Sequence, residues 1–424
     1  MDENPQEANP LKPNDSLRSV QSATMKLLAY CQARQWAGID PYDALNSRIF
    51  QALPLLDQRI PRLILSQLLK RSVFNIRPLL LVPPAQNPKA LGLFLMALLK
   101  MRKLGVVDTE AQQRTIVASL ESLRAPNSTH YCWGYSFPWQ TRTQLVPRWA
   151  PNLVCTTFVA NALLDAYEQN GDPRFLEMAA SSGRYILGEL YWTEGSSVAG
   201  FAYPLPSMRN SVHNGNLLGA ALFTRIAKHT GEKAFIEPAL RVARFSVSKQ
   251  QADGSWNYGE QPTQRWIDNF HTGYNLCALH EMGQHLQTDE FGQCVRRGFE
   301  FYRSHFFRED GAPRYFHDRT YPIDIHCVAQ SILTLLTLKE FDTGNAQLAK
   351  SVFNWAMRHM WDEEGFFYYR ILRACTIRTS YMRWSQAWML LAMSSLLAES
   401  KEEFSEIPLT KDSSVQARAF TRQY

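Results

Sequence analysis

A turn made of an acidic residue, a glycine and then an aromatic recurs about every 57 residues, and no other feature of the chain restricts its fold as much. It stands at Asp253-Gly254-Ser255-Trp256, at Asp310-Gly311 ahead of Tyr315, and at Glu364-Gly365-Phe366. Gly254 and Gly311 are 57 residues apart, Gly311 and Gly365 54. Looser copies are Trp133-Gly134-Tyr135 and Gly200-Phe201-Ala202-Tyr203. A stretch with charge on one face precedes each turn and a more evenly apolar stretch follows, the pattern of an exposed outer helix and a buried inner one. Outer helices are expected near 109–124, 173–190, 232–249, 289–305 and 344–360, and inner helices near 152–169, 213–230, 269–286, 324–340 and 383–398. A sixth pair comes from 16–36 and 90–105, with an insertion between them that holds Asp40-Pro41-Tyr42-Asp43. Six hairpins close a ring. The expectation is an all-α (α/α)6 toroid over residues 17–400, with short β-hairpins at its mouth and polar tails at 1–16 and 401–424.

Composition narrows the class. Of 424 residues, 45% are hydrophobic and 20% charged, as in a globular protein. The polar start of the chain lacks the basic and apolar regions of a signal peptide, so a cytoplasmic location is expected. The apolar runs Ala90–Leu99 and Ala387–Met393 are far shorter than the ~18 to 20 residues of a membrane span. Seven scattered cysteines without a C-x-x-C pair suit free thiols rather than disulfides or zinc. A net charge of +6 from interspersed residues tilts towards acidic ligands without making a nucleic-acid footprint.

Aligning the inner helices brings Ser211-Val212-His213, Asn269-Phe270-His271 and Asp324-Ile325-His326 into register, with Arg383 57 residues past His326. The leading Ser211, Asn269 and Asp324 are good N-caps, and the histidines after them would face one mouth. Asn214, Asn216, Asp268, Tyr274, His317 and Tyr381 lie close by, and Arg142, Arg209, Arg265, Arg319 and Arg378 precede the last five inner helices. Arginine forks and helix N-termini both suit an anion. Trp133, Tyr135, Trp139, Trp149, Tyr203, Trp256, Tyr258 and Trp266 crowd the same loops, either as platforms for sugar faces or as loop packing.

Through Asp40–Ser47, Gln251–Trp256, Trp266–His271 and Tyr321–His326, the span from about 17 to 400 resembles the α/α-toroid proteins of bacterial exopolysaccharide and capsule gene clusters. It is more distantly similar to six-hairpin glycosidases, toroidal polysaccharide lyases and uronyl C5-epimerases, and through Gln251–Trp256 to terpenoid cyclases and prenyltransferases, though a D-x-D-D acid motif is missing. The resemblance implies the six-hairpin fold and a polysaccharide-biosynthesis setting, with possible contact to that machinery. It implies no particular reaction.

The leading expectation is lyase or C5-epimerase chemistry on an acidic polysaccharide or oligosaccharide. Such a site neutralises a uronate carboxylate and places a base and an acid near C5. His271 or His326 is the expected base, Tyr274 the acid, and Arg265 with Asn269 the carboxylate holders. Further sugar contacts are assigned to His213, Asn214, Asn216, Arg209, Arg319, Arg378, Trp133, Tyr203, Trp256 and Trp266. A glycoside hydrolase would instead use Asp268 and Asp324, with Asp253 and Glu260 on the intervening loop. A glycan-binding or assembly protein would activate none of these groups. No cofactor or metal is expected; the alternative is a metal held by His213, His271 and His326.

Overall fold

The computed structural model describes residues 13–209 and 211–406. Helix α1 (Pro13–Ala33) is followed by an insertion carrying the short α2 (Arg48–Gln51) and α3 (Arg59–Arg71). From there the chain alternates. Inner helices α4 (Pro88–Lys103), α6 (Leu153–Asn170), α8 (His213–Thr230), α10 (Asn269–Leu286) and α12 (Ile325–Thr337) are each followed by an outer one: α5 (Glu110–Ser122), α7 (Pro173–Tyr185), α9 (Ile236–Val247), α11 (Gly292–His305) and α13 (Asn345–His359). A π-helical turn, Met382–Ala387, then leads into the last inner helix, α14 (Trp388–Glu406). The inner helices touch in chain order and α14 returns to α4, which closes the ring. Among the described residues, strands form only two- and three-stranded ribbons in the loops, and no helix is long and apolar enough to cross a membrane.

The inner helices are buried nearly all round, whereas an outer helix such as α11 keeps Arg296, Arg297 and Glu300 exposed and turns Val295, Phe299 and Tyr302 inward. Gly171 and Gly231 end α6 and α8 in the left-handed conformation. The sixth pair differs from expectation, since α1 packs on α14 rather than on α4. Its place follows from the repeated turns. Gly254, Gly311 and Gly365 have φ of 92°, 86° and 92° and lie against a backbone carbonyl of the next outer helix, Arg297, Ser351 and Lys26 in turn. Lys26 is on α1, so α1 is the outer helix after α13. The expected tails at 1–16 and 401–424 lie mostly outside the described residues; α1 starts before residue 17 and α14 continues past 400.

A methyl at Gly254 would sit 2.3 Å from the Arg297 carbonyl oxygen, and at Gly311 3.0 Å from that of Ser351. Gly254→Ala is therefore expected to cost about 2 to 4 kcal/mol, from the left-handed backbone and the clash together. Gly311→Ala should cost less. Chemical denaturation of both variants checks the order, and equal losses would leave the close approach without weight.

Candidate functional site

The site is built by the caps of the inner helices. Asn87, Asn152, Asp268 and Asp324 cap α4, α6, α10 and α12 with their side chains, while Val212 and Tyr381 occupy the same position at α8 and the π turn. Ser211 and Asn269 do not cap, contrary to the sequence alignment, and only Asp324 does. Counted from the true caps, His213 is first in its helix, His326 second and His271 third. Each residue turns a helix by about 100°, so the three histidines point in three directions. The second position faces the axis, and Lys89, Phe270, His326 and Arg383 share it. The His326 ring lies 4.6 Å from Phe270, and the Lys89 and Arg383 charges both act on it.

His326 is 1% exposed. Its Nε2 lies 2.6 Å from the Tyr274 hydroxyl, and its Nδ1 is buried with no partner among the described residues. Burial, followed by the Lys89 and Arg383 charges, holds its pKa well below the usual histidine value, so the ring is neutral. Burial likewise holds the Tyr274 phenol well above its usual range. With tyrosine as donor, His326 accepts at Nε2 and carries its proton on Nδ1. Lys89 has neither a carboxylate nor a hydrogen-bond partner for its ammonium among the described residues. It faces the rings of Phe158, 4.2 Å away, and Trp388, 5.2 Å away. Burial first, and Arg383 second, push its pKa well below the lysine value. Arg383 is held by both oxygens of Asp40, at 2.7 and 2.8 Å.

His271 is the most accessible of the three, with about a fifth of its side chain exposed. One oxygen of Asp268 caps its backbone N–H, and the other meets its Nδ1 at 2.7 Å and accepts from Trp266 Nε1 at 2.9 Å. This fixes the ring and leaves Nε2 without a partner among the described residues. Tyr258 stacks on Trp266 at 4.5 Å and leans on His271. Tyr203, hydrogen-bonded to Tyr135, and the insertion's Tyr42 complete this aromatic group, since Tyr203 acts on the Tyr258 phenol and Tyr42 on both. Asp324 is saturated: His326 N–H and Trp384 Nε1 donate to one oxygen and Arg370 to the other.

The structure thus brings together His271, His326, Tyr274, Asp268, Asp324, Tyr203 and Trp266. Asn214 is buried in the axial register with its Oδ1 unpartnered among the described residues. Other assigned residues lie elsewhere. His213 turns toward Phe245 of the outer α9 and meets Glu260, whose pKa this contact, with Lys249, pulls down to about 2. Asn216 holds Phe201 N–H and Ser246, and Asn269 bonds Ser331 and Tyr302, both behind the inner helices. Trp133 and Trp256 are buried, their indoles donating to the Leu120 and Ser246 carbonyls of outer helices α5 and α9, and Trp256 also lies against Gly298 of α11. Arg209 and Arg378 are exposed. Arg265 and Arg319 line a shallow cleft of about 350 Å³ with Trp266 and His317. The three histidines do not converge, and no group of three metal-ligating side chains occurs among the described residues.

Sequence reasoning missed Lys89, Arg370 and the Asp40–Arg383 pair. The available signal for Lys89 was a lysine in the first turn of an otherwise apolar inner helix. It also missed a well of about 570 Å³ at the far ends of the inner helices, lined by all six. Phe158, Tyr274 and Trp388 contribute to the well and pack together beneath Lys89. Glu281 faces the well, and burial, partly offset by Arg225, raises its pKa to about 7.

No protein-family model and no curated protein sequence matches the chain. Solved structures do. One is a sugar epimerase from a ruminal bacterium, with 11% identity, a TM-score of 0.55, and 74% of this chain and 88% of that one covered. Another is the cellobiose 2-epimerase of Bacillus thermoamylovorans, with 10% identity, a TM-score of 0.59 and the same coverage. A third is a GH76 α-mannanase of Bacteroides thetaiotaomicron, with 13% identity, a TM-score of 0.57, and 75% and 88% covered. At such identities the likeness is one of fold, and the fold is the (α/α)6 toroid.

Proposed function

We propose that this toroid is a carbohydrate-active enzyme of polysaccharide biosynthesis or modification that removes the proton α to a uronate carboxylate, as a C5-epimerase or a lyase. One observation carries the reading. A histidine oriented by a buried carboxylate, His271 on Asp268, stands beside a Tyr274–His326 pair and near a buried lysine that has no counter-ion among the described residues. His271 Nε2 takes the C5 proton, and charge develops on the uronate carboxylate. Burial favours the neutral form of Lys89, which has no partner among the described residues; a uronate carboxylate bound beside it restores the proton, and the ammonium then stabilises the developing charge more strongly than a rim arginine in water would. Tyr274, kept protonated by burial, returns a proton to the opposite face in epimerisation or protonates the departing oxygen in elimination. Lys89 thus takes the part expected of Arg265. Two of the structural relatives are sugar epimerases and one is a mannanase, which supports a sugar as substrate.

Hydrolysis draws less support. It needs two carboxyl groups free to act across the bond, whereas Asp268 and Asp324 have both oxygens engaged. Glu281, with its raised pKa, lines the well at the far ends of the inner helices. The test is incubation with a panel of acidic and neutral polysaccharides in D₂O. Deuterium at C5 or unsaturated uronate absorbance is expected. New reducing ends without either would make the protein a hydrolase, and binding without turnover a glycan-binding protein.

Lys89 also makes a stability prediction. Its folded pKa is lowered, so the unfolded chain binds a proton that the folded one gives up, and stability rises with pH toward the ordinary lysine value of ~10.4. Lys89→Met should raise the melting temperature at neutral pH, with the gain over wild type shrinking as pH approaches 10, while turnover falls. A melting temperature unchanged or lowered at pH 7 would mean that the lysine is charged and paired.

A further inference from the structure

Of the twelve large hydrophobic side chains that stand exposed among the described residues, eleven lie between Ile49 and Leu81, in the insertion. Leu55, Phe74 and Leu79 are 92%, 79% and 76% exposed. On α3, Ile60, Ile64 and Leu68 form an outward stripe at the i, i+4 spacing of one helix face, while Leu65 and Leu69 on the other side pack over Ala44 and Val82. A helix that is apolar on both sides has something to bury on both sides. Scattered exposed apolar residues are ordinary; their confinement to one segment is not.

Charge identifies the covering surface. Residues 48–81 contain six basic side chains, Arg48, Arg59, Arg62, Lys70, Arg71 and Arg77, against one acid, Asp57. Asp57 is taken by Arg62, and Arg77 is buried against Asp43. Arg48, Arg59 and Arg71 are exposed and have no carboxylate partner among the described residues. Apolar side chains flanked by unpaired arginines on a short helix are the chemistry of an element that lies in the headgroup layer of an anionic bilayer. At 13 residues, α3 is too short to cross it.

We propose that the 48–81 insertion docks this protein on an anionic membrane surface. The insertion also reaches the mouth, since Arg62 bonds Gln140 in a mouth hairpin and Asp40 and Tyr42 lie over Arg383 and Trp384. A docked molecule therefore carries its site at the membrane.

The test is flotation of the full-length protein with vesicles of equal parts phosphatidylglycerol and phosphatidylcholine, and with phosphatidylcholine alone. Binding to the anionic vesicles is expected, weakened by salt and lost with phosphatidylcholine. Ile64→Glu/Leu68→Glu should abolish binding. Arg59→Glu/Arg71→Glu should weaken it on the order of tenfold or more. Both pairs are exposed, so circular dichroism and melting temperature should match wild type. Failure to float with anionic vesicles, or equal binding by the Ile64→Glu/Leu68→Glu variant, overturns the proposal. So does a concentration-dependent oligomer, seen by light scattering, that this variant disperses; the face would then join two copies of the chain.

Discussion

His271→Ala is expected to lower kcat on an acidic glycan by about 10² to 10⁴, the usual loss when a positioned general base is removed, with little change in substrate affinity. The reason is the asymmetry of the imidazole. Its Nδ1 is committed to Asp268, which fixes tautomer and orientation, and its Nε2 is the nitrogen left to take a proton. Asp268→Asn should lose part of the same rate, because the neutral amide can still cap α10 while it no longer supports the imidazolium that forms. Lys89→Met should lower rate and affinity together, since the ammonium that a bound carboxylate restores meets that carboxylate in both the ground and the transition state. Folding should survive the His271 change, because the ring is partly exposed and its neighbours Tyr258 and Phe270 have other contacts. Steady-state kinetics with circular dichroism decides the matter. Full activity in His271→Ala removes the residue from the mechanism, and loss of structure makes it a packing residue.

The helices could be read from the sequence because their signals are local: apolar periodicity, left-handed glycine caps, and a turn repeated along the chain. The register inside each helix could not. Asp268 and Asn269 are adjacent and equally suitable as caps, and Asp268 takes the position while also holding Trp266 and His271. At α8 the shift runs the other way, Val212 rather than Ser211 holding the cap position, and these one-residue offsets are why similarly spaced histidines diverge, His213 to the outer ring and His326 to the axis. The repeat misled for a further reason. Trp133 and Trp256 are buried with their indoles on outer-helix carbonyls, so recurrence there marked packing rather than ligand binding. Arginine placement was hidden too. Rim arginines are conspicuous beside mouth aromatics, whereas Arg383 and Arg370 depend on carboxylates 343 and 46 residues away. The position of α1 beside α14 is likewise a consequence of ring closure, which no local pattern records.

The longest of these links carries the largest stability effect. Asp40→Ala is expected to destabilise the protein by about 3 to 5 kcal/mol, the cost of leaving a buried charge without its partner. Asp40 is 5% and Arg383 4% exposed, and their two hydrogen bonds join the insertion to the π-helical turn that opens the last inner helix. Asp40 also receives Tyr42 N–H on its carboxylate and Arg77 on its carbonyl, so the segment over the mouth is organised around it. Without the carboxylate, Arg383 would be left buried with no counter-charge. The double variant Asp40→Ala/Arg383→Met should recover much of the loss, because a methionine fills the arginine's space among Tyr135, Phe137 and Trp384 without a charge to satisfy. Denaturant unfolding of the two single variants and the double variant measures the coupling directly. Additive losses would mean that the pair holds the insertion through backbone contacts instead, and a recovered double variant that has also lost turnover would place the Asp40–Arg383 pair in the site as well as in the fold.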